Sequence, residues 1–268
     1  GKSIQHSVTI PEGLTSQQIV QRLMNFDFLT GEIAQIPPEG TLLPDTYNVQ
    51  RGTSRQKILD KMKEAQDRLV AELMQRKKAG APFSDGRELV TLASIVEKET
   101  GKADERPHVA SVFTNRLKRG MKLQSDPTTI YGIVGGKGIQ DRPLTRADLA
   151  RPTPYNTYVI EKLPPTPIAN PGRLALEAAV NPMQTNDLYF VADGTGGHVF
   201  AETLADHNSN VAKWRQLQRE RGETPEPEST TPPAQPETGT DEKPAGDTST
   251  NTVPAPADNK AKDGLQLR

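Results

Sequence analysis

The sequence predicts a helix-rich α+β fold followed by a polar C-terminal tail. Three observations carry this reading. Apolar residues recur at helical spacing in several segments, each opened by a capping signal. Strand signals are few and short. From Gly222 onward Val253, Leu265 and Leu267 are the only large apolar residues among Pro, Thr, Glu and Asp. A segment of that composition buries too little apolar surface to offset its ordering entropy, so it reads as disordered.

The elements follow in order. In a first unit, residues 1–50, Ser7–Pro11 reads as a strand and Glu12-Gly13 as a turn. Thr15-Ser16-Gln17-Gln18 is a capping box opening a helix to about Leu29, with Ile19, Leu23 and Phe26 inward. A short strand near Tyr47–Val49 completes a small α+β module. A connecting segment, residues 51–82, holds a second box at Thr53-Ser54-Arg55-Gln56 and a charged helix to about Lys78. Ile58, Met62, Leu69 and Leu73 form its apolar face, and its other charges read as solvated.

A larger domain is expected over 83–218, with the tail at 219–268. Ser84 is the expected N-cap of a helix that Gly101 ends, and a helix over about 106–119 buries Val109, Val112, Phe113 and Leu117. A loop from Gly120 to Pro127 leads into a short helix at Thr128–Ile133, and Thr145-Arg146-Ala147-Asp148 opens another. Pro152, Pro154, Pro164, Pro165, Pro167 and Pro171 enforce an irregular wall. A helix near Arg173–Val180 precedes a hairpin, Leu188–Ala192 with His198–Ala201, and a closing helix from Thr203 to Leu217.

Composition excludes several chemistries. There is no cysteine, so disulfide and thiolate chemistry are out. The net charge of -1 divides into -5 on the tail from Gly222 and +4 elsewhere, too mild and dispersed for nucleic-acid binding. No stretch approaches the roughly 18 apolar residues of a membrane span. The opening at Gly1, running quickly into Val8-Thr9-Ile10, reads as part of a longer protein. Gly135-Gly136-Lys137-Gly138 lacks the remaining residues of a phosphate loop, and His198 and His207 lack metal-ligand spacing, so no metal and no cofactor is expected.

The helix following Ser84 carries the chemistry. Leu89, Leu92, Val96 and Glu99 fall at i, i+3, i+7 and i+10, which places Glu99 on the buried face. A desolvated glutamate holds its proton near neutral pH, as a general acid for glycosidic cleavage must. Spacing alone leaves open a structural role for Glu99, as an ion pair with Arg116. Glu97 competes with it from the edge of the stripe. Asp126 is either a second carboxylate of a two-carboxylate glycosidase or the N-cap of the following helix. Gln124, Tyr155 and Asn156 are loop-borne groups suited to sugar hydroxyls and N-acetyl groups.

Leu92–Thr100, Val112–Leu117, Met121–Thr128, Pro154–Tyr158, Leu163–Ile168, Tyr189–Gly194, Gly197–Phe200 and His207-Asn208 together resemble the endolytic murein transglycosylase family, the MltG/YceG-like proteins, over about residues 8–217. The resemblance implies a lytic-transglycosylase-like domain that cuts peptidoglycan glycan strands internally at the MurNAc–GlcNAc β-1,4 bond, leaving 1,6-anhydro ends. It implies that Glu99 is the catalytic glutamate and that residues 1–50 are part of a LysM-like module. It also implies a periplasmic domain of a single-pass inner-membrane protein in the bacterial envelope. Glycan strands would be its substrate and peptidoglycan synthases its neighbours. The competing readings are a non-catalytic peptidoglycan-binding scaffold and a hydrolytic muramidase using Asp126.

Overall fold

In the computed structural model, residues 5–222 are described. The tail expected to be disordered falls almost wholly outside them. The described chain is mostly helical with two small antiparallel sheets. The first sheet pairs β1 (Gln5–Thr9) with β2 (Thr46–Gln50), placing Val8 opposite Tyr47. Between them lies α1 (Ser16–Met24), opened by the Thr15–Gln18 box. It ends five residues before the expected Leu29. The Asn25 and Phe26 amides bond back to the Arg22 and Leu23 carbonyls, tightening the last turn and turning the chain away. Phe26 and Leu29 still reach this module's core, but from a coil.

Helix α2 (Arg55–Gln75) follows. Its cap is Ser54, whose hydroxyl accepts from the Lys57 amide, one residue later than the sequence pattern suggests. Ile58, Leu59 and Met62 enter the first module's core, whereas Leu69 and Leu73 enter the larger core beyond.

That larger core surrounds α3 (Gly86–Glu99). Asp85, not Ser84, caps it: the Asp85 carboxylate accepts from the Glu88 amide, while Ser84 donates to the Glu88 carboxylate. Leu89 to Val96 are all buried, so the helix is enclosed on every side rather than along one stripe. Its two polar residues tolerate this because they bond to backbone. Thr91 Oγ1 donates to the Arg87 carbonyl and Ser94 Oγ to the Thr91 carbonyl, and Ser94 also accepts from the Ile168 amide.

Around α3 pack α4 (Arg106–Lys118), α5 (Asp126–Val134) and α7 (Arg173–Val180). Helix α5 starts two residues before the expected Thr128, with Ser125 in the cap position and Asp126 inside its first turn. The Asp126 side chain is therefore not the N-cap. Short α6 (Arg146–Ala150) opens with the expected box between Thr145 and Asp148. The proline-rich wall after it contains no helix or strand from Pro152 to Gly172. The second sheet pairs β3 (Tyr189–Ala192) with β4 (His198–Ala201), and α8 (Leu204–Glu220) closes the described chain.

Candidate active site

Glu99 is the last residue of α3, followed by Thr100 in extended backbone. Glu99 is half-buried, and desolvation of its carboxyl pushes the pKa up to about 7. The Ser125 hydroxyl opposes this, donating to Glu99 Oε1 at 2.5 Å. The charge of Asp126 adds to the rise and that of Arg116 slightly reduces it. The free carbonyls at the helix C-terminus act in the same direction as burial, disfavouring a second negative charge there.

The loop facing Glu99 is held rigidly. Gln124 is the only non-glycine with positive φ among the described residues, at 53°. Its amide N–H donates to the Thr157 carbonyl, and the next amide, of Ser125, donates to Thr157 Oγ1. Thr128 Oγ1 donates to the Ser125 carbonyl. This backbone conformation, costly for a side chain of this type, aims Ser125 at Glu99 instead of at the helix it precedes. The usual capping hydrogen bond is given up at α5 and the same hydroxyl serves Glu99.

Arg116 does not form with Glu99 the ion pair that the structural alternative would require. Nε donates to the Leu188 carbonyl, and Nη1 to the Lys122 and Leu123 carbonyls and to Gln124 Oε1. Its guanidinium lies over the Tyr189 ring, 5.2 Å from the centroid. Burial brings its pKa down to about 10, which still leaves it charged at neutral pH. It thus braces the loop and supplies a distant positive field.

The remaining sequence candidates separate into two groups. Asp126 stands beside Glu99 and accepts from the Tyr158 hydroxyl at 2.6 Å; burial and the Asp126 charge together raise the Tyr158 pKa. Gln124 is on the same loop, its amide oxygen taken by Arg116. Tyr155 belongs elsewhere: its ring packs edge-on against Tyr131 and its hydroxyl pairs with Thr166. Asn156 is wholly buried. Its NH2 donates to the carbonyls of Asp148, Leu149 and Arg151, and its oxygen accepts from Thr129 and the Tyr158 amide. The expectation that Asn156 binds sugar is corrected on this geometry, because the amide is an internal brace with no face toward a ligand.

Glu97 is likewise accounted for. Its carboxylate accepts from Arg106 Nη2 at 2.9 Å and from the Gly172 amide at 2.9 Å. Burial nevertheless outweighs both partners and holds its pKa above the usual range. His198 pairs with Glu105 at 2.8 Å, and His207 stacks on Tyr189. Gly135–Lys137 forms a tight turn against α1, where Thr15 Oγ1 donates to the Gly136 carbonyl.

Residues 1–213 match the profile of the YceG-like family. The chain belongs to that family. An endolytic murein transglycosylase of Bacillus subtilis is 39% identical over 186 residues, covering 69% of this chain and 50% of that protein. One from Streptococcus pneumoniae is 33% identical over 220 residues, covering 75% of this chain and 40% of that protein. The chain spans half or less of the length of these curated relatives. A crystal structure of a yceG-like protein from Listeria monocytogenes matches with a TM-score of 0.63 at 32% identity, covering 76% of this chain and 75% of that one.

In this YceG-like chain, sequence reasoning missed Ser125, Tyr158 and the bracing role of Arg116. All three lie inside motifs already singled out. A serine directly before an acidic, proline-containing helix start would have been read as a cap, since nothing in the sequence says that its hydroxyl turns away.

Proposed function

We propose that this chain carries the catalytic part of an endolytic peptidoglycan lytic transglycosylase. It would cleave the MurNAc–GlcNAc β-1,4 bond to leave 1,6-anhydro-MurNAc ends and so limit nascent glycan strands. The observation that carries this is the Glu99 carboxyl, with its pKa pushed to about 7 and one oxygen fixed by Ser125. Because Ser125 donates to Oε1, the carboxylic proton resides on Oε2. Protonated Glu99 delivers it to the leaving glycosidic oxygen, and the substrate's N-acetyl group stabilises C1. Ionised Glu99 then takes the proton of the MurNAc 6-hydroxyl, which attacks C1 and closes the anhydro ring. One carboxyl is thus acid and then base, each step using the same Oε2 position.

The names of the relatives support the substrate class, and the same reading assigns the protein to the bacterial envelope, on the periplasmic side of an anchor and beside peptidoglycan synthases. Gln124 and Asp126, on the loop that faces Glu99, remain the proposed sugar-facing groups, whereas Tyr155 packs apart from that loop. Residues 1–50 are proposed as a partial LysM-like module, 51–82 as a connector and 83–218 as the catalytic domain.

A second reading has its own support: the charge of Asp126 acts directly on Glu99, as in a pair of carboxylates. A hydrolase of that kind would release reducing-end MurNAc. Digestion of purified murein, read by mass spectrometry, separates the two because the products differ by one water. Anhydro products absent from wild type, or undiminished in Glu99→Gln, would overturn the transglycosylase reading. Inertness of both proteins toward murein that they still bind would leave the scaffold role.

A further inference from the structure

Glu97 and Glu99 are two residues apart on the last turn of α3. At about 100° per residue they leave the helix on nearly opposite sides. Glu99 faces Ser125 and the loop; Glu97 faces the first module. There the Glu12-Gly13 turn, between β1 and α1, sits against the helix end. Arg106 Nη2 donates to both Glu97 Oε1 at 2.9 Å and Glu12 Oε2 at 3.0 Å, joining module and helix through one nitrogen. Its Nε is buried without a hydrogen-bond partner, so the two carboxylates are what hold this cation.

The fit of the turn is close. Lys98 Nζ donates to the Gly13 carbonyl at 3.4 Å, and Gly13 N–H donates to the Asn170 carbonyl at 3.0 Å. Gly13 has φ of 75°, and a Cβ there would lie 3.5 Å from Glu97 Cγ and 3.6 Å from Lys98 Cδ. A Cβ on Gly172, whose amide donates to Glu97, would collide with the Glu12 carboxylate. The module therefore presses on the two residues immediately before Glu99, along the helix that carries it.

We propose that Glu12, Arg106 and Glu97 form a positioning relay by which the first module seats the catalytic turn of α3. The module is then a working part of the active site and not only an attachment beside it. The relay touches no reacting atom. It fixes where the helix ends, and hence how far Glu99 reaches toward Ser125 and how completely its carboxyl is enclosed. This rests on the reading of Glu99 as the acid of the reaction.

The test is Glu12→Gln, chosen because the Glu12 side chain is 39% exposed and the change removes charge with little change of shape. Two readouts are needed: kcat and KM on murein strands, and the titration midpoint of Glu99 by carboxyl carbon NMR, assigned with Glu99→Gln. The expected result is kcat about tenfold lower with KM unchanged, and a Glu99 midpoint displaced toward the ordinary carboxylate value as the loosened turn admits water. Glu12→Asp should restore part of both. Wild-type kcat and midpoint in Glu12→Gln overturn the relay, as does a lower melting temperature with an unmoved midpoint. Should wild type leave murein uncut, the transglycosylase reading fails, and the midpoint alone decides the relay.

Discussion

The two sides of the last turn of α3 make an instructive contrast. Burial raises the pKa of the carboxyl on each side. Glu97 accepts from a guanidinium and a backbone amide, which work against burial and the nearby Glu12 charge. Glu99 is given one neutral hydroxyl and an acidic neighbour. Desolvation alone does not make a general acid; the partners decide whether the charge is held in place or a proton is kept for transfer. One side of the turn is braced by a cation; on the proposed reading, the other changes protonation state.

The contrast breaks most completely at Glu99. Glu99→Gln should lower anhydro-muropeptide release by about 10³-fold, the range for loss of a positioned acid–base group. The same variant tests the burial cost. Because the folded pKa is raised from 4.5 to about 7, the folded state keeps a proton that the unfolded chain has lost between these values, so the stability present below 4.5 is lost as pH rises through 7. Glu99→Gln should therefore be more stable than wild type at pH 8, by up to about 3 kcal/mol, with the advantage gone near pH 4. Denaturant melts at the two pH values measure it.

Glu97→Ala should do the reverse. It leaves Arg106 buried with Glu12 as its one remaining carboxylate and costs about 3 kcal/mol of stability at neutral pH, seen as a lower denaturant midpoint. Asn156→Ala is expected to cost about 2 kcal/mol, since several buried carbonyls lose their donor at once, and to leave KM for murein unchanged in the protein that remains folded. A raised KM would return Asn156 to the sugar site.

Ser125→Ala sharpens the comparison by a smaller amount. The hydroxyl favours the ionised form of Glu99, so its removal moves the alkaline limb of the kcat profile to higher pH. The freed oxygen no longer forces the proton onto Oε2, and kcat should fall about tenfold. A limb that moves to lower pH instead would assign Ser125 a different role.

Much of this was legible in the sequence because it rests on local physics. Capping boxes at Thr15 and Thr145, the apolar spacing of α4 and α7, and the Gly-rich hairpin turn each depend on residues within a few positions of one another. The stripe argument placed Glu99 inward for the same reason. What escaped it depends on contacts far apart in sequence. The enclosure of α3 on all sides requires Thr91 and Ser94 to hide their hydroxyls against backbone, which reads as polarity in the sequence. Asn156 looked like a ligand for sugars because an amide in a proline-rich loop carries no mark of being buried. The Glu12–Arg106 contact spans 94 positions, and no local pattern announces it.

Helix α2 has a consequence for how the chain comes apart. It is one unbroken rod of 21 residues, and its first half completes one apolar core while its second half completes the other. Fraying either half strips side chains from a core and withdraws the hydrogen-bonded scaffold on which the other half is built. The two cores thus share a single cooperative fate: amide protons in β1 and in α3 should exchange through the same global opening, although nearly eighty residues separate them.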